Sequence, residues 1–167
     1  MNNTLRIRTG ILVVISSIMS AFLAGAFVLS FGMANPDGPQ KIYTFLSFII
    51  GQSFMLLPLL WFLLSNKYPL FQTLRIRMVS FHTIYYTIIL SLGVIILSDE
   101  VDKIVQIFIE APKYVVDLNG VLKPDSLSGY VLLFIAVVII APLGEELLFR
   151  GFFQKILEEN WKDITRA

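Results

Sequence analysis

Glu145, Glu146 and Arg150 are the residues of this 167-residue chain whose types and spacing can do chemistry. They belong to the run Ala141-Pro142-Leu143-Gly144-Glu145-Glu146-Leu147-Leu148-Phe149-Arg150-Gly151-Phe152-Phe153, two adjacent carboxylates and a guanidinium among apolar side chains. On a helix Glu146 and Arg150 are i and i+4, so they share a face and pair in the favourable acid-before-base order. Glu145 lies about 100° round the helix from Glu146 and points elsewhere. One dipeptide thus yields two different carboxylates. Glu146 is neutralised by Arg150, while Glu145 is free to face a polar cavity and to act as a general base. Pro142 lacks an N–H and disturbs the bond to Val138, a distortion that can admit water beside Glu145. Gly144 and Gly151 flank the charges and let another helix approach closely.

Whether these groups lie at membrane depth is decided by length. The apolar segment begins near Tyr130, and stopping it before Glu145 leaves 15 residues, short of the roughly 20 that a bilayer needs. Extending it to Phe149 reaches the full length but takes both glutamates into the membrane. At about 1.5 Å per residue, Glu145 then lies some 20 Å along a hydrocarbon core about 30 Å thick. Ionisable groups at such depth are expensive and by default functional.

The elements that must hold them are membrane helices. Hydrophobic residues make up 56% of the chain and charged ones 15%, which excludes the ordinary soluble class. Spans are expected over about 11–31, 42–64, 79–97 and 130–150. The expected fold is an all-α polytopic bundle of four spans in a single membrane domain. The first span follows Arg6 and Arg8, but its uncharged run of 21 residues exceeds a cleaved signal and reads as a retained anchor. Lys67, Arg75 and Arg77 follow the second span, and Lys155, Lys162 and Arg166 follow the fourth. The first loop has only Lys41, and the third sets three lysines against six acidic residues. The positive-inside rule then places the N-terminus in the cytoplasm.

Between spans, Asn35-Pro36-Asp37-Gly38-Pro39 is a dense turn signal. Pro58 falls inside the second span and is expected to kink it, freeing the carbonyl four residues earlier for a neighbouring helix to satisfy. Val101, Ile104, Val105, Phe108 and Ile109 recur at helical spacing and predict a short amphipathic helix at the outer membrane surface. Gln154 to Ile164 alternate polar and apolar residues as the exit of the fourth helix, with Trp161 near the interface. His82, the one histidine, reads as an interfacial residue at the start of the third span. No cysteine is present, so thiolate catalysis, disulfides and Cys-type zinc sites are excluded. The net charge of +1 and the lack of a basic cluster give nucleic-acid binding no support.

The run 141–153 resembles the first signature of the CPBP family, the type II CAAX prenyl proteases and bacteriocin-processing membrane enzymes also called the Abi family. Its pattern is Glu-Glu-x-x-x-Arg, with a proline shortly before and Phe-Arg-Gly at the end. The resemblance implies an intramembrane endopeptidase of a bacterial cell membrane, acting on a protein or peptide substrate at the lipid bilayer. It implies catalytic roles for Glu145, which activates the attacking water, and for Glu146 and Arg150, which complete the motif and hold its geometry. The family also carries Phe-x-x-x-His and His-x-x-x-Asn or Asp on later helices. Neither occurs in these 167 residues, so the chain is expected to be the N-terminal part of a longer domain, without independent catalysis. No cofactor signature is evident, and a metal requirement stays open. The alternative is a non-catalytic membrane protein for bacteriocin immunity or an accessory role.

Overall fold

Uninterrupted apolar runs become helix because a backbone in hydrocarbon must satisfy its own polar groups. In the computed structural model, which describes residues 6–35, 38–110 and 112–160, four helices are long and apolar enough to cross a membrane. They are α1 (Ile7–Ala34), α2 (Gln40–Ser65), α4 (Phe81–Phe108) and α6 (Leu127–Asn160). Short helices α3 (Leu70–Thr73) and α5 (Lys113–Leu122) lie between them in sequence. No strand occurs among the described residues. The all-α polytopic fold expected from the sequence is the one found. Pro36 and Asp37 of the first turn, Trp161, Lys162 and Arg166 lie outside the described residues.

The chain divides into two compact units, one holding α1, α2, α3 and α6, the other α4 and α5. In the first unit α1 and α2 approach closely because glycines face each other. A Cβ on Gly51 would stand 3.0 Å from the carbonyl oxygen of Ala21 and 3.5 Å from the Gly25 Cα. Small residues serve this purpose in membranes, where helices gain nothing from leaving lipid for one another except packing and hydrogen bonds. Pro58 sits inside an unbroken α2. It cannot donate to Phe54, and the carbonyl of Phe54 instead accepts from the Ser20 hydroxyl of α1 at 3.1 Å. A neighbouring helix does satisfy the freed group.

α6 lies along α1 and α2 and is tied at both ends. Near its start Lys41 pairs with Asp125 at 2.7 Å. Near its end Arg75 makes a two-pronged ion pair with Glu158. Between the ties, Leu148, Phe152 and Ile156 repeat every four residues and are fully buried against Val13, Val14, Leu59, Leu63 and Leu74. The Phe152 ring meets Phe62 edge-on at 5.9 Å. Two segments of α6, Ile135–Ile140 and Glu146–Phe153, are π-helical. The first ends two residues before Pro142. The amide of Ala141 donates to Ala136, five residues back, so the turn before the proline widens rather than breaks.

In the second unit the sequence expectation needs correction. Val101, Ile104, Val105 and Phe108 do not form a separate surface helix; they continue α4 without a break. Neither glycine nor proline interrupts Leu97 to Phe108. Lys103 bridges Asp99 and Glu100 at 2.7 and 3.0 Å, and Gln106 donates to Asp102, so side-chain pairs carry the helix through its polar turn. The separate amphipathic helix is α5, further along. None of the residues of α4 is buried, as expected of an apolar helix that meets lipid. His82 is exposed in its first turn.

Gly51→Val places a branched side chain against the Ala21 carbonyl and is expected to cost about 1–3 kcal/mol. Ser20→Ala, which leaves the Phe54 carbonyl unpaired, should cost about 0.6–1.7 kcal/mol. Gly93→Ala, with nothing within 4 Å of its Cβ position, is the control for helix propensity alone and should leave stability unchanged or raise it by up to about 1 kcal/mol. Denaturant unfolding in mixed micelles measures all three, and a Gly51→Val variant as stable as the control would remove the glycine contact from the account.

Candidate active site

The site begins with the seat of Gly144. A Cβ there would lie 3.0 Å from the Met55 methyl carbon, 3.5 Å from the Gln52 carbonyl and 3.7 Å from its carboxamide Oε1. A Cβ there would sit in ordinary contact with Gln52 and would need the Met55 methyl to give by a few tenths of an ångström, so α6 lies close against α2 at this height. Gln52 stands twelve residues from the first residue of α2 and thirteen from the last. The neighbouring Glu145 is therefore level with the middle of a 26-residue span. The same pocket is lined by Ala21 and Gly25, near the middle of α1. Depth inferred from length alone is thus matched by lateral packing against two other helices.

Glu145 lines a pocket of about 490 Å³ between α1, α2 and α6, together with Ala21, Gly25, Ser47, Gln52, Met55 and Phe149. The cavity expected to be polar is in fact mostly apolar, its walls completed by Ile18, Phe22, Leu29 and Phe48. The polar groups are confined to Ser47, Gln52 and Glu145. The reason lies in α1 and α2, whose inner faces had to be apolar to cross a membrane at all. Glu145 itself remains exposed at the pocket rim.

Glu146 does not line this pocket. Its Oε1 accepts from the Arg150 guanidinium at 2.6 Å, one helical turn on, as the i, i+4 spacing anticipates. Both side chains are more than half exposed, so the pair lies on the outward face of α6. The structure brings Glu146 and Arg150 together and directs Glu145 elsewhere. Mutual neutralisation lowers the cost of carrying two charges at this height.

The C-terminal end of the motif is fixed by Gly151. A Cβ there would lie 2.8 Å from the backbone oxygen of Leu74 and 3.1 Å from its Cα, so the segment after α3 rests directly on α6. Arg75, next in sequence, adopts a left-handed backbone (φ 55°), uncommon for a residue with a side chain. Its hydrogen bond to Glu158 comes first among the causes that raise the guanidinium pKa above its ordinary value. The sequence marked Gly151 as a place of close approach but did not name its partner.

Gln52 was not singled out from the sequence. Its signal was there: it is the one carboxamide in the apolar run Ile42 to Leu64, and polar groups in spans tend to face the bundle interior. Its Oε1 is buried and has no hydrogen-bond partner among the described residues. No group of three His, Cys, Asp or Glu side chains able to hold a metal occurs among the described residues.

With this geometry in view, comparison with known proteins adds one finding. Residues 127–167 match the family model of the Rce1-like type II CAAX prenyl endopeptidases. The match spans α6 and the whole Glu-Glu-Leu-Leu-Phe-Arg motif, and it agrees with the resemblance to the CPBP family read from the motif. It marks the chain as an integral membrane protein similar to CAAX proteases over that segment. No curated protein and no solved structure matches the chain.

Gly151→Ala is expected to destabilise the first unit by about 1–3 kcal/mol, because the Leu74 backbone cannot yield as a side chain does. It should also make the segment around Lys67 and Arg75 more sensitive to limited proteolysis. Trypsin digestion of wild type and variant in the same detergent checks this, and equal cleavage rates would mean that Gly151 does not hold the segment.

Proposed function

We propose that the protein is a membrane-embedded endopeptidase of the CAAX-prenyl-endopeptidase type, in which Glu145 is the general base and Glu146 with Arg150 holds the motif in place. The observation that carries the reading is the position of Glu145. It is a carboxylate on the family-matching helix, level with the middles of α1 and α2, at the rim of an apolar pocket. A carboxylate there has few uses for packing, and a general base must reach a water beside the scissile bond.

In this reading the apolar walls take up a hydrophobic stretch of the peptide and place its carbonyl near Glu145. The carboxylate draws a proton from water as the oxygen bonds to the carbonyl carbon, then returns it to the departing nitrogen. Glu146 is occupied by Arg150 and so does not compete for that proton. Instead the pair orients the turn from which Glu145 projects. The basic residues support a cytoplasmic N-terminus. Gly10 packs on Ile156 and Leu74 on Gly151, so Arg8, Arg75 and Lys155 gather at one end of the first unit, the end the positive-inside rule assigns to the cytoplasm.

Glu145→Gln is expected to lower cleavage by about 10²–10⁴ with unchanged unfolding, and Arg150→Ala to lower it less. The assay is an internally quenched peptide ending in a prenylated CAAX tail, presented to native membranes that contain the protein, because these 167 residues lack the two histidine motifs of the resemblance. Cleavage by Glu145→Gln at the wild-type rate would end the proteolytic reading. A host-protection phenotype that survived the same substitution would point to an immunity or accessory role.

A further inference from the structure

α4 carries a pattern that crossing a membrane does not require. Its 28 residues extend about 42 Å at 1.5 Å per residue, more than a hydrocarbon core about 30 Å thick can hold. Asp99, Glu100, Asp102 and Lys103 mark the end that leaves the lipid. Yet Val101, Ile104, Val105 and Phe108 follow in the same unbroken helix, all of them exposed. In lipid that exposure costs nothing, whereas in water it costs about 25 cal/mol per Å². A stripe of large apolar side chains outside the lipid marks an interaction surface. Its spacing says what covers it. Leu90, Val94, Leu97, Val101, Ile104 and Phe108 follow one another at alternate steps of four and three, the a and d seam of a coiled coil. Thr83 and Thr87 carry the series back to the first turn of the helix. From Leu97 to Phe108 no polar residue falls on the seam, and Asp99, Asp102, Lys103 and Gln106 all take the outer b, c and f positions. These groups are satisfied within α4: Lys103 pairs with Asp99 and Glu100, and Gln106 donates to Asp102.

We propose that α4 is a dimerisation helix, pairing in parallel with α4 of a second copy of this chain about a two-fold axis along the membrane normal. The inference is independent of the proteolytic reading. Two copies inserted with one topology present α4 in the same direction, so a parallel pair forms without rearrangement. The seam has the composition that such a pair favours: β-branched Thr87, Val94 and Val101 at a, with Leu90 and Leu97 at d, select two parallel strands. Charge agrees with it. Glu100 is the one charged residue beside the seam, at a g position, and the e position it meets on the partner helix is Val105, so no like charges face each other there. Size agrees as well. Standard interfaces bury roughly 30 Å² per residue, so the a, d, e and g positions of four heptads bury about 500 Å² per copy and about 1,000 Å² in all, the size at which an interface becomes specific. Packing drives the part of the seam inside lipid, and removal of Val101, Ile104 and Phe108 from water drives the part outside.

These 167 residues hold no cysteine, so single cysteines along α4 report its neighbours directly. Leu97→Cys and Val101→Cys lie on the seam, and Ile96→Cys and Gln106→Cys lie off it. Each is oxidised in native membranes that contain the full chain, with two differently tagged copies expressed together. The seam cysteines are expected to join the two tags several-fold faster than the others. Equal rates at all four positions would mean random collision, and no joining at the seam would mean that lipid headgroups or another segment of its own chain cover this face; either result overturns the proposal. A second measurement uses energy transfer between labelled copies as they are diluted with lipid. Val101→Glu places like charges face to face outside the hydrocarbon and is expected to weaken association by about 10²-fold. Mixing Val101→Glu with Val101→Lys copies should restore it. Association that is unmoved by Val101→Glu, or a mixture no tighter than Val101→Glu alone, would remove α4 from the interface.

Discussion

Contact between backbones, possible only where side chains are missing, is the constraint on which the first unit depends. Lipid tails are as apolar as leucine, so nothing drives these helices together unless they pack more closely than lipid can. Gly25 and Gly51 achieve this between α1 and α2, and Gly144 and Gly151 do so for α6 against Gln52 and Leu74. The height of Glu145 follows from these contacts. Slide α6 by one turn along α2, three to four residues, and Gly144 no longer faces Gln52; Ile140 or Leu148 would have to fit where Gly144 meets the Met55 methyl. The register of the carboxylate is thus set by a glycine rather than by any property of the carboxylate.

The ion pairs are subordinate to that packing, although they act in the same direction. Lys41–Asp125 and Arg75–Glu158 lie near the two ends of α6, where side chains are partly solvated and each pair contributes modestly. Their value is positional, since both are satisfied in only one register. The π-helical segments have a comparable role. By widening the turn before Pro142 and again from Glu146 to Phe153, they keep α6 continuous past a residue that cannot donate. Such departures from the α-helix recur at functional positions in other proteins.

Much of this was legible in the sequence, for reasons that can be stated residue by residue. Apolar run length gave the four spans because the bilayer demands a minimum length. The i, i+4 spacing gave the Glu146–Arg150 pair because it is local to one helix. Pro58 gave a freed carbonyl at Phe54 by covalent logic alone. Val101 to Phe108 were harder, because an amphipathic pattern looks the same in a separate surface helix and in the extension of a span. Only the continuity of Leu97 to Phe108 separates the two. The character of the cavity was misjudged for a related reason. A charged rim suggests a polar pocket, but the opposite walls belong to helices with their own obligation to be apolar.

The sequence by itself determined what is local or one-dimensional: helix, span, turn, ion pair and the identity of the motif, each set by chemistry within about one helical turn or by a run length. Which groups meet across the bundle was decided by tertiary structure. Ser20 reaches the Phe54 carbonyl, Leu74 lies on Gly151, and Gln52 stands beside Gly144 with its oxygen unpaired. None of these pairings has a spacing rule, since the partners are 34, 77 and 92 positions apart. They depend on where the smallest residues let three helices touch, a property of surfaces in contact that no single helix carries.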